Sequence, residues 1–499
     1  MKHKRILAIL LIAVLLIASE ALADGGYKDR IRIGINAEPQ TVLTPTKSTS
    51  AMCQMIGRST HSTLVDTDLV TNETKPDLAE SWEVFEDGAR YIFHLRQGVK
   101  FSNGQELTAE DVKFTFDERF PAGALSAMAR TIAEVNVIDP YTVEFVLTGP
   151  VQDFLYVVSG VPASIVCKSA VEAEGDTGEQ YGTGAFSITK YQQGEYVLLT
   201  RNEDYFGEKP LTKELEFAIY LEDSTRLVSL EAGEIDIAYA IANADIEFIE
   251  DNPDLKLEVT PGTNIYYIAF NTPVAPFDNE KLRQAIACAV DKESGIMVAF
   301  EGLADVATSV MVPAMPLYTP VSVYDYDIDR AKELLAEAGY PDGGLEFTMW
   351  VDRADEEYLG ITFQENLKQI GINLKVERLE ATTLKASWND PNYQVALQKF
   401  GPTFPDINFS YVFASTASAN RSHVNDPYVD EMIAKAAAEP DSAVRTELYR
   451  ELNTYITEKA YWVPIAIPQI FAATRADVEG AVYAGNTAHD FTYVHVAEN

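Results

Sequence analysis

The hydrophobic period of this chain changes from 2 to 3.6 and back many times, without a repeat and without a linker between the changes. "RYIFHLRQG" sets Tyr91, Phe93 and Leu95 against Ile92, His94 and Arg96, the alternation of a half-buried strand. "TAEDVKFTFDERF" follows as a helix, with Thr108 as N-cap and Asp111 at the third position. "STRLVSLEAGEIDIAYA" reads as a helix stopped by Gly233 and a strand from Ile235 to Ala240. Further helices carry Leu282, Ala285, Ile286 and Ala289 on one face, then Ala331, Leu334, Leu335 and Ala338 ending at Gly339. "ITFQENLKQIG" closes on Gly371, and a long helix is expected to turn Val444, Leu448, Leu452 and Tyr455 inward. Irregular mixing of this kind predicts α/β lobes with mixed sheets. At 499 residues the chain exceeds one small domain. With no low-complexity tract between them, two lobes must be joined by short strand-like crossings.

The amino-terminal stretch "MKHKRILAILLIAVLLIASEALADGG" has a basic start at Lys2, Lys4 and Arg5. Its apolar run, Ile6 to Ala18, is short for a membrane span, and Ala21-Leu22-Ala23 supplies small residues for cleavage. Residues 1–23 are therefore read as an export signal, and an uncleaved anchor is the alternative. No cysteine follows the run to take a lipid. The expectation is a soluble, extracytoplasmic mature chain. A net charge of −37 argues against nucleic acid and anionic membrane surfaces as partners. Cys53, Cys167 and Cys288 are widely spaced and form no CxxC, so no disulfide framework is expected.

Catalytic signatures are missing: there is no GxxxxGK[ST], HExxH or GxSxG, and the GxG of "YGTGAF" reads as a turn. The stretch at 48–61, "STSAMCQMIGRSTH", concentrates sulfur and a histidine. As a helix it puts Met52, Met55 and Ile56 on one face, a core stripe. Cys53 and His61 would lie roughly 12 Å apart along the axis at about 1.5 Å per residue, so one ion cannot take both. Cys53, on another face, is left to look into a cleft.

In order along the chain, several blocks resemble the extracytoplasmic solute-binding proteins of peptide and nickel ABC importers. They include "LAESWEVFEDGARYIFHLRQGVKFSNGQELTAEDVKFTFD", "YGTGAFSITKY", "LLTRNEDYFGEKP", "LEAGEIDIAYA", "YDIDRAKELLAEAGYPDGG" and "LYRELNTYITEKAYWVPI". The resemblance covers nearly all of residues 30–475. It implies a two-lobed clamp of the periplasmic-binding-protein kind, with a large first lobe carrying an extra subdomain. Residues 24–265 with the returning 473–499 would form lobe I, and 266–472 lobe II. It further implies a monomer that is no enzyme, holds no resident cofactor, and delivers its ligand to an ABC permease with ATPase subunits. A secreted hydrolase is the remote alternative.

The resemblance divides over the ligand. Peptide binders of the family carry an acidic residue for the peptide amine in a segment like "KFGPTFPDINF". Here Phe400 takes the aromatic place, Thr403 stands where that acid would be, and Phe404 follows. Asp406 could compensate only with a shifted loop. The missing acid is similar to nickel-type members, whose cleft histidine would fall on His423. Against that reading, the arginines that grip a chelator there fall on Ala122 and Ser164, and a cleft tryptophan on Leu125. The ligand is thus expected to be nickel or another metal chelate, held by His423 and Cys53, with an oligopeptide or dipeptide as the alternative.

Overall fold

The structure, a computed structural model, describes residues 26–48, 50–124, 126–390, 393–401, 404–486 and 488–498. The export-signal segment, Leu125 and Thr403 lie outside the described residues.

Strand β1 (Arg30–Ile35) starts a first large sheet, with Ile31, Ile33 and Ile35 fully buried at every second position. Helix α1 (Ala51–Thr60) packs on that core. The chain then leaves to build an antiparallel subdomain from β2 (Ala79–Phe85), β3 (Arg90–Leu95), β4 (Ile132–Asp139) and β5 (Thr142–Leu147), in the order β2-β3-β5-β4. Tyr91, Phe93 and Leu95 of β3 turn inward, as their alternation predicts. Helix α2 (Ala109–Phe114) begins with Thr108 and Asp111 in a reciprocal capping box, and the short α3 (Phe154–Val157) follows β5.

Strands β6 (Phe186–Gln192), β7 (Tyr196–Arg201), β8 (Glu214–Ile219), β9 (Ile237–Tyr239) and β10 (Leu255–Thr260) return to the first sheet. The chain then crosses to a second sheet through β11 (Ile265–Phe270). That sheet adds β12 (Ala304–Val306), β13 (Leu345–Val351), β14 (Ile372–Arg378), β15 (Val395–Phe400) and β16 (Trp462–Pro468). Its helices include α4 (Pro405–Val412) and α5 (Ser442–Glu458). From β16 the chain crosses back to β17 (Ile470–Arg475). The sheet orders are β10-β17-β9-β1-β8-β7-β6 and β12-β16-β11-β15-β13-β14, both mixed.

All six residues of β11 are buried because the sheet is covered on both faces. Tyr266, Ile268 and Phe270 enter one core, and Ile265, Tyr267 and Ala269 enter the other. The two crossings lie against each other: a Cβ on Gly262 would sit 2.1 Å from the Pro468 carbonyl oxygen, so only glycine fits. The Thr263 amide donates to the Gly485 carbonyl at 3.0 Å, bracing the crossing from the first lobe.

Two sequence expectations change. "YGTGAF" is a close approach of backbones: Cβ atoms on Gly182 and Gly184 would fall 2.1 and 2.4 Å from backbone atoms of Thr60 at the end of α1. Helix α5 buries Arg445, Leu448, Tyr449, Leu452 and Ile456, while Val444 is exposed. The buried face is rotated from the purely apolar stripe because Arg445 has carboxylate partners inside.

Candidate functional site

The lobes touch through one buried cluster. Asp153, just before α3, is buried, and Arg445 of α5 donates to it and to Asp406 of α4. Tyr449 also donates to Asp406, and the Asp406 amide donates to Asp153 at 3.1 Å. Beside this cluster the rings of Tyr156 and Phe404 stack at 4.1 Å and 13°. Asn72 Nδ2 donates to the Ala314 carbonyl at 3.3 Å. Burial, and then the neighbouring Asp153 carboxylate, push Asp406 up to about 7, against the opposing pull of Arg445. Asp153–Arg445 is the one ion pair between the lobes among the described residues. The second lobe therefore contacts the subdomain at α3 and the residue before it.

At the carboxyl ends of β13 and β15 the second lobe holds a cavity of about 380 Å³. Open α/β sheets bind ligands outside such strand ends. Tyr267, Trp388, Phe400 and Tyr411 give it aromatic walls, and Gln398 and Asp352 supply polar groups. Arg353, Lys385, Lys399 and Arg421 also line it. Partial desolvation, and then the Arg353 charge, hold the Lys399 ammonium below its ordinary range. A larger cavity, about 490 Å³, is lined by first-lobe residues alone. Its cations are engaged: Arg58 and Lys75 pair with Asp66 at 3.1 and 3.2 Å, and Arg96 Nε donates to the Asp77 carbonyl at 2.6 Å. The second-lobe cavity, lined by Phe400 of β15 and Tyr411 of α4, is the candidate ligand site.

The residues named from sequence separate. Phe400 lines the second-lobe cavity. Phe404 and Asp406 belong to the interlobe contact. Cys53 is 3% exposed and packs with Met52, Met55 and Ile56, with Thr41 Oγ1 3.6 Å from its sulfur, so it does not face the cleft. Helix α1 is buried on nearly every side, which leaves no separate face for it. His423 hydrogen-bonds Asn271 at 2.9 Å, beyond the far end of β11 from the crossing. Six residues of strand at about 3.4 Å each put that end roughly 20 Å from the crossing. Cys53 and His423 thus sit in different lobes, and no cluster of His, Cys, Asp or Glu among the described residues could hold a metal ion. Ser164 is buried and donates to the Val161 carbonyl. His61 is buried too: Nε2 meets the Glu179 carbonyl at 2.8 Å, and burial pushes the ring down to about 4. The three cysteines are free.

Sequence reasoning missed Arg353, Lys385, Lys399, Arg421 and Trp388. They are scattered over some seventy residues and carry no spacing signal. The available sign was position, because Arg353 and Lys399 stand at or just beyond the ends of apolar strands.

Residues 73–421 match the family model described as bacterial extracellular solute-binding proteins, family 5 Middle. The dipeptide-binding protein of Escherichia coli K12 is 30% identical over 476 residues, covering 87% of this chain and 89% of that protein. The glutathione-binding protein GsiB of the same organism is 28% identical, covering 98% of each. Among solved structures, HbpA2 of Haemophilus parasuis superposes with a TM-score of 0.84 at 27% identity, over 94% of this chain and 99% of that one. The binding protein DppA of Helicobacter pylori, in complex with the peptide STSA, gives 0.77 at 25%, over 96% and 100%. The fold, its crossings and these likenesses agree: the chain belongs to family 5 of the bacterial extracellular solute-binding proteins, which are substrate-binding components of ABC importers and not enzymes.

Proposed function

We propose that this protein captures a peptide between its lobes outside the cytoplasm and delivers it to a membrane permease driven by ATPase subunits. The observation that carries this reading is the second-lobe cavity at the strand ends. Its cations suit a peptide carboxylate, Asp352 and Gln398 suit backbone amide groups, and its aromatic walls suit side chains. Relatives named for dipeptide and glutathione binding, and a structural neighbour holding a peptide, support the same class. The nickel or metal-chelate expectation loses its basis with the separation of Cys53 from His423. Export rests on the signal-like segment 1–23. A monomer is proposed because closure needs only the two lobes of one chain.

Native mass spectrometry of protein purified gently from its host tests the ligand class. A retained mass that fragments as a peptide is expected. A retained metal complex or sugar would overturn the reading.

A further inference from the structure

The second-lobe cavity is charged against the rest of the molecule. The chain has 39 Lys and Arg against 76 Asp and Glu. The cavity reverses that balance, with four cations, Arg353, Lys385, Lys399 and Arg421, and one carboxylate, Asp352, in its lining. These cations are poorly matched inside the protein. Neither Lys385 nor Lys399 has an ion pair among the described residues. Arg353 lies 3.6 Å from Asp352 and 3.9 Å from Glu356, beyond hydrogen-bond length. Arg421 donates to the Ser418 carbonyl at 3.1 Å and lies 4.9 Å over the Trp388 ring.

Trp388 adds a second observation. It is 6% exposed, lines the same cavity, and its indole N–H is buried without an acceptor among the described residues. A buried donor left unmade is expensive, so an acceptor is expected there. In the first-lobe cavity Arg58 Nε is likewise buried without a hydrogen-bond partner, but each cation named there already has a carboxylate or carbonyl, and the contrast is in the charge left unmatched.

Resting on the peptide reading, we propose that this cavity is a subsite for an acidic side chain, so that the protein prefers peptides carrying glutamate or aspartate. Arg353, Lys399, Arg421 and Lys385 supply the positive field, and the Trp388 N–H offers a neutral donor to a carboxylate oxygen. Leu384 and Phe400 enclose the aliphatic part of the side chain. The terminal carboxylate of a peptide has the same chemistry, so the test separates the two sources.

The experiment is calorimetric titration with alanine tetrapeptides bearing Glu or Gln at each position in turn, each with a free and an amidated carboxyl end. At one position Glu should bind at least tenfold tighter than Gln, with or without the amide, and the ratio should shrink at high salt. In Lys399→Gln and Lys385→Gln, both at exposed side chains, the Glu-to-Gln ratio should fall at least threefold with the melting temperature unchanged. If amidation weakens binding while Glu and Gln bind alike, the cavity holds the chain end and the acidic-side-chain inference is overturned. If all peptides bind alike, it is overturned while the peptide reading stands. If none binds, both fall.

Discussion

Arg445 holds two carboxylates, one from each lobe, in a place where water is excluded. Removing it leaves Asp153 and Asp406 facing each other. Arg445→Met should destabilise the protein by about 3–5 kcal/mol, the usual effect of unpairing a buried charge; chemical denaturation of parent and variant measures this. The same cluster gives closure a pH dependence. Opening hydrates Asp406 and removes Asp153, the two causes of its raised pKa, while Arg445 and Tyr449 stay on its own lobe. Making the contact with Asp153 thus favours the protonated form of Asp406, and breaking it favours the carboxylate. Closure should strengthen as pH falls from 7 towards 4 and weaken as it rises through 7. Scattering from ligand-free protein at pH 5 and pH 8 reads the difference, and a larger radius of gyration at pH 5 would contradict it. Single residues were the least legible part of the sequence. Met52, Met55 and Ile56 follow from helical spacing, but Cys53 does not, because α1 is buried on several faces and periodicity assumes one. Arg445 carries no signal in the sequence, since its partners lie 39 and 292 positions away.

At the scale of elements, α1 and the crossings carry the argument. Met55 is fully buried in the core under β1. Met55→Ala should cost about 2–5 kcal/mol of stability and leave ligand choice untouched, as thermal melts and titrations together would register. Gly262→Ala forces a Cβ against the Pro468 carbonyl. A loss of about 1–3 kcal/mol is expected from such overpacking, with a shifted balance of open and closed forms in scattering. The segment around α4 bears on the peptide amine. Asp406 is already engaged by Arg445 and Tyr449. Blocking the amino end of a bound peptide should therefore weaken binding less than tenfold, about 1.4 kcal/mol. A hundredfold loss would mean that an acid grips the amine after all. Strands, caps and glycine stops were legible here because their signals are local: Thr108 with Asp111, Gly233, Gly339. The meaning of Gly182 and Gly184 was not, because it depends on the end of α1 more than a hundred residues earlier.

The whole molecule is two mixed sheets and a subdomain, joined by two short crossings and touching across the lobes through one ion cluster. That architecture could be read from period changes and from blocks resembling a known family. The ligand could not, because it depends on cations that meet only after folding. The strong negative charge surrounds a locally positive cavity, an arrangement that favours specific capture of an acidic group over general attraction of anions. The most direct test of the clamp is small-angle scattering on protein stripped of ligand by unfolding and refolding, before and after saturation with a peptide that calorimetry shows to bind. The account predicts a smaller radius of gyration with peptide, as the second lobe closes onto the subdomain. An unchanged radius at saturation would contradict it.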